Sequence, residues 1–294
     1  MIRIDTPDGD FLDLVRVDPP HEGAPHLILL HGLEGTTRSH YARGTLTEAA
    51  RRGWGATMLI FRTCGTEMNR APRFYHSGET TDLDFVVGRT AREFIEAPIV
   101  LAGVSLGGNV LLKWLGERGE SARADYRVSA AAAVSVPYDL ARGSRYIHEG
   151  FSRVYERHFL KSLERKAREK LERYPDLFDP ARLAAADTIY GFDDAVTAPV
   201  HGFAGADDYY ARSSSIGFLK GIRVPTLLLS AIDDPFLPAQ VLDEVRTIAA
   251  HNPALTVEFH EHGGHVGFIS GSPWSPFYYG EWRVAEFLAR AARP

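Results

Sequence analysis

Short apolar runs alternate with amphipathic stretches along most of this chain. Five to eight apolar residues bounded by Pro, Gly or charged positions suit strands buried on both faces. Apolar positions three and four apart suit helices lying against them. On that basis His26 to Leu30, Trp54 to Phe61, Pro98 to Ala102, Val128 to Val136, Val224 to Ser230 and Leu255 to His260 read as strands. Ser39 to Arg52, Thr80 to Phe94, Gly107 to Gly116, Ala239 to Ala250 and Gly280 to Ala292 read as helices. Met1 to Val17, with a turn at Asp8-Gly9-Asp10, reads as one or two edge strands. Alternation of strands and helices predicts an α/β fold with a mostly parallel, doubly wound sheet.

The rhythm breaks between Pro137 and about Ser215. Phe151, Val154, Tyr155, His158, Phe159, Ser162 and Leu163 recur at helical spacing, and no strand pattern intervenes. The expected organisation is therefore a discontinuous core, residues 1–136 and 216–294, interrupted by a helical cap at 137–215. Arg153 to Arg173 carries basic residues interleaved with Glu156, Glu164, Glu169 and Glu172, which predicts a solvated helix face rather than a lipid-headgroup site.

Composition narrows the class. The 294 residues carry 33 Lys and Arg against 38 Asp and Glu, a net charge of −5. Such a balance gives no general reason to expect nucleic acid as a partner. A single cysteine, Cys64, can form neither an intramolecular disulfide nor a thiolate metal cage, and reads as structural. The start, Met1-Ile2-Arg3-Ile4-Asp5, lacks the apolar stretch of a signal peptide. No run approaches the ~18 apolar residues of a membrane span. The expected location is the cytoplasm, with peripheral membrane contact left open.

Gly103-Val104-Ser105-Leu106-Gly107 matches G-x-S-x-G, and it falls between a buried strand and a helix. That context is what a nucleophile elbow needs: a tight turn projecting the serine hydroxyl, with glycines where side chains would collide. Free N–H groups of the new helix face the same site. An oxyanion hole then needs the N–H after the nucleophile, Leu106, and one from the loop after an early strand. His31-Gly32-Leu33-Glu34-Gly35 supplies such a loop, with Leu33 as the second donor and His31 holding its shape. A carboxylate and a histidine should follow in chain order. The strand at Val224 to Ser230 leads to Asp233 and Asp234; Asp234 is preferred because Pro235 holds it extended. The last strand leads to His265 after Gly263-Gly264. His260, His262 and His265 could alternatively be read as a metal set, but His260 and His262 alternate on a strand end.

These segments together resemble the YheT-like hydrolases of the α/β-hydrolase superfamily. The resemblance rests on His31-Gly32-Leu33-Glu34-Gly35, Phe61-Arg62-Thr63-Cys64-Gly65, Tyr75-His76-Ser77-Gly78, Gly103 to Asn109 and Asp233-Asp234-Pro235-Phe236, and it extends into Phe151 to Tyr155. It implies a Ser/Asp/His triad (Ser105, Asp234, His265) and esterase or lipase-like activity without a cofactor. The substrate would be a small acyl ester or lipid-like molecule. Thr63 departs from the family, where glycine is more usual. Tyr75-His76-Ser77-Gly78 could line the pocket or cap the next helix. The rival readings are a non-catalytic binding protein on the same fold, a thioester or phospholipid hydrolase, and a metal-dependent hydrolase.

Overall fold

The computed structural model describes residues 1–272 and 274–292. Eight strands form one sheet: β1 (Ile2–Asp5), β2 (Phe11–Val17), β3 (His26–Leu30), β4 (Gly55–Ile60), β5 (Ile99–Val104), β6 (Val128–Val134), β7 (Thr226–Ala231) and β8 (Leu255–His260). Their order is β1-β2-β4-β3-β5-β6-β7-β8. The pairings from β4 through β8 are parallel, whereas β2 runs antiparallel to both β1 and β4. Every residue of β3, β4, β5 and β7 is buried. Helices cover both faces, as continuous apolar strands require.

The sequence boundaries hold to within two residues for most elements. Helices occur at His40–Arg51, Thr81–Glu93, Leu106–Arg118, Ala239–Ala249 and Tyr279–Ala291. Only β1 of the N-terminal pair is an edge, because β2 is sandwiched between β1 and β4. A two-stranded hairpin, Ile269–Ser272 with Ser275–Tyr278, was not legible in the sequence; its residues are exposed and lack a core face to produce alternation.

Between β6 and β7 the described chain is helical, with Arg153–Arg173 the longest element. Leu160, Ala167, Phe178, Leu183, Phe192, Ala195 and Val196 form a small core of their own, closed on the sheet side by Phe74. Arg153–Arg173 is not the uniformly solvated charged face the sequence predicted. Glu156, Lys166 and Lys170 are buried. Lys170 Nζ donates to the Asn69 carbonyl (2.9 Å), and Glu156 takes the Ile189 N–H (2.9 Å) and faces His148 Nδ1 (2.8 Å). Charges interleaved along a helix cannot reveal which of them find partners on another element.

Candidate active site

The turn from β5 into helix Leu106–Arg118 places Ser105 at φ 54°, ψ −122°, backbone that favours glycine. Its N–H extends the parallel ladder to Val134 O (2.8 Å). Close packing accounts for the glycines around it. A Cβ on Gly107 would lie 2.5 Å from His31 O, and one on Gly103 2.5 Å from Gly107 O. Asn109, one turn into the helix, donates to Ser77 O and Ser213 O (2.8 Å each) and accepts from Ser215 N (2.9 Å). It fastens the elbow to the segments on either side.

His265 stands on the loop after β8. Its Nδ1 lies 2.9 Å from Asp234 Oδ2 and 3.1 Å from Oδ1. Asp234 is buried after β7 and accepts the Phe236 N–H (2.9 Å). The Phe236 ring packs against the imidazole with centroids 4.3 Å apart. Asp233, the neighbouring carboxylate, has a different task. Its Oδ1 takes the N–H groups of Gly263 and Gly264 (3.0 and 2.8 Å), tying down the loop that carries His265. The three histidines weighed as a metal set have separate surroundings. His260 packs edge-on to Tyr279, His262 faces Asp233, and His265 faces Asp234.

Close to Ser105 lies the loop after β3. A Cβ on Gly32 would sit 3.2 Å from the Ser105 Cβ, so the two backbones are in close approach. Gly32 N–H donates to Tyr41 Oη (2.9 Å), and Glu34 N–H to Tyr75 Oη (3.0 Å). The Leu33 N–H between them, like that of Leu106 at the helix start, has no acceptor among the described residues. His31 is enclosed. Its Nε2 accepts from Phe61 N–H (3.1 Å), which leaves Nδ1 to donate to Gly32 O (2.7 Å). Burial lowers its pKa to about 4, keeping it neutral.

Ser105, Leu33, Leu106 and His265 all border one cavity of about 590 Å³. Its walls are largely apolar, including Leu140, Ile147, Tyr155, Phe159, Phe192 and Phe236, with much of the roof coming from the helical segment. Tyr75, His76 and Ser77 line it too, so that segment belongs to the pocket rather than to a helix cap. Cys64 is half-buried, and desolvation pushes its thiol up to about 11, away from the reactive thiolate form. Thr63, where the family usually has glycine, sits at φ 68°. Among the pocket residues that the sequence did not reveal, Tyr41, Glu34 and Lys166 bear on the loop after β3. Glu34 lies within His31-Gly32-Leu33-Glu34-Gly35 and Tyr41 just beyond it, whereas Lys166 reaches the loop from 132 residues away.

Comparison with known proteins agrees with this architecture. Residues 25–272 match the family described as alpha/beta hydrolase fold. The chain is 41% identical to YheT of Escherichia coli (strain K12), covering 97% of this chain and 83% of that protein. It is 30% identical to a monoacylglycerol lipase of Saccharomyces cerevisiae, over 86% of this chain but 57% of that one, and 29% identical to mouse phospholipase ABHD3, over 84% and 59%. Among solved structures, the Pyrococcus furiosus esterase Pf2001 superposes with a TM-score of 0.65 at 17% identity, over 99% of this chain and 90% of that chain. Est1E of Butyrivibrio proteoclasticus gives 0.63 at 14% identity over 99% of both. The chain belongs to the α/β-hydrolase family, among the esterase- and lipase-like relatives of YheT.

Proposed function

We propose that this chain is a cytoplasmic serine esterase that cleaves a carboxylic ester of an apolar, lipid-like acyl group through Ser105, His265 and Asp234. The observation that carries the reading is an elbow serine at φ 54° sharing a cavity with His265, whose Nδ1 faces Asp234 at 2.9 Å. His265 takes the proton as Ser105 Oγ attacks the ester carbonyl. Asp234 accepts from Nδ1–H, which fixes the tautomer with Nε2 free as base and stabilises the imidazolium. The Leu33 and Leu106 N–H groups receive the oxyanion. His265 then protonates the leaving alcohol, and water, activated by the same imidazole, releases the acid from the acyl-enzyme. No cofactor takes part.

The largely apolar walls support a hydrophobic acyl chain. The lipase and phospholipase names among the relatives lean the same way. Residues 137–215 act as the cap over a core of 1–136 and 216–294, roofing the acyl site. The test is a panel of p-nitrophenyl esters of graded chain length, with fluorophosphonate labelling of the wild type and of Ser105→Ala. The expected result is turnover and labelling by the wild type and neither by the variant. Ester hydrolysis that survives in Ser105→Ala would reject the mechanism. A wild type that is inert to both reagents would favour the binding-protein reading.

A further inference from the structure

The loop that carries Leu33 is not held by its own turn alone. Glu34, the next residue, has φ 55°, left-handed backbone that a non-glycine side chain adopts at a cost. Such a conformation persists when its surroundings over-determine it. Here the surroundings come from three other parts of the chain. Tyr75 Oη accepts the Glu34 N–H and donates to its Oε1 (2.7 Å), so one hydroxyl grips both backbone and side chain. Lys166 Nζ meets the same Oε1 at 2.6 Å, and Ser162 Oγ donates to Oε2. Cys64 Sγ lies 3.5 Å from Lys166 Nζ. Lys166 and Ser162 both belong to helix Arg153–Arg173, the longest element of the cap.

The side chains of Glu34 and Lys166 are only 11% and 8% exposed, so this is not a surface pair that water screens away. We propose that Glu34 is a positioning residue for the oxyanion hole. Its carboxylate, clasped by Lys166 and Ser162 of the cap, holds the Leu33 N–H toward Ser105, so that the hole is complete only while the cap helix is docked. The inference rests on the esterase reading above. The physical link is short. If the carboxylate is released, Glu34 relaxes away from positive φ. The Leu33 torsions must compensate, because Gly32 and Gly35 remain closed by the Gly35 N–H to Gly32 O bond (2.9 Å). The Leu33 N–H then turns.

The test compares Glu34→Gln, Lys166→Met, their double variant and the milder Ser162→Ala, assayed well below their melting temperatures. The substrates are a p-nitrophenyl ester and its thiono analogue, whose C=S is a poor acceptor for the hole. A fully lost donor costs kcat on the order of 10²–10³-fold, so a displaced one should cost roughly 10-fold or more, with KM changed less than about twofold. The oxo-to-thiono ratio of kcat/KM should shrink by a similar factor. The double variant should lose little more than the worse single one. Ser162→Ala should fall in between. If the variants melt earlier yet keep wild-type kcat and oxo-to-thiono ratio, the clasp is structural only and the inference is overturned while the esterase reading stands. If the wild type hydrolyses neither ester and resists fluorophosphonate, both readings fall together.

Discussion

Replacing Ser105 by alanine and by glycine separates chemistry from backbone strain. Ser105 sits at φ 54°, ψ −122°, a conformation that stores about 1–3 kcal/mol in a residue with a Cβ. Alanine keeps that strain; glycine releases it. Two terms oppose the release. Glycine loses more chain entropy on folding, about 0.4–1 kcal/mol. It also forfeits one partly buried carbon, about 0.8 kcal/mol. Taking the middle of each range leaves the glycine variant about 0.5 kcal/mol more stable than the alanine variant. At an unstrained, exposed position, where only the entropy term remains, glycine would be up to about 1 kcal/mol the less stable of the two. For a chain of this length the unfolding entropy is about 0.6 kcal/mol/K, so the expected gap is about +1 °C, against about −2 °C at an ordinary site. Urea denaturation with calorimetry resolves the sign. Both variants should lose ester turnover by roughly 10⁵-fold or more. A glycine variant less stable than the alanine one by 1 kcal/mol would refute the strain argument, whatever the activity.

Three further outcomes are expected. Asp234→Asn should lower kcat on the order of 10⁴-fold with the fold retained, because the amide no longer enforces the tautomer. Asp233→Asn should cost far less, since its contacts are to the Gly263 and Gly264 amides; equal losses would contradict the division of roles. Gly107→Ala should destabilise by about 3 kcal/mol or more, its Cβ meeting His31 O at 2.5 Å and Leu30 backbone at 2.8 Å. Gly9→Ala, at φ 78° with nothing within 4 Å, should cost only about 1–2 kcal/mol, so similar urea midpoints would dismiss the clash. Stability should also fall on mild acidification. Burial lowers His26, His31 and His201 to about 4 and His76 to about 3, so each stays neutral in the fold while the unfolded chain takes up a proton below about 6.5. Their stabilisation is complete above that pH and is lost as pH falls toward 4. Asp193, raised by burial to about 6, opposes with one proton. Four against one leaves up to about three protons, or up to about 4 kcal/mol per pH unit, between pH 6 and 4.5. Urea midpoints that do not move across that interval would show the imidazoles to be accessible.

The fold was readable in the sequence because its causes are local. Runs such as residues 27–30 and 227–229 are apolar throughout since both faces of each strand are covered. The elbow announced itself because a turn that tight tolerates only glycine at positions 103 and 107. The order serine, acid, histidine is a rule of the fold class, and the loops after β5, β7 and β8 offered candidates in that order. What the one-dimensional pattern could not convey is which charged groups meet. Asp233 and Asp234 are adjacent, and Pro235 singled out Asp234 without giving Asp233 a task. Only the paths of two loops decide that one carboxylate grips backbone amides and the other faces the imidazole. Lys166 looked like one more solvated cation on a charged helix, yet packing of that helix over the sheet carries its ammonium to Glu34, 132 residues away. Periodicity records which side of an element avoids water. Partnership between elements depends on where they come to rest, and that is settled by the tertiary packing of the whole chain.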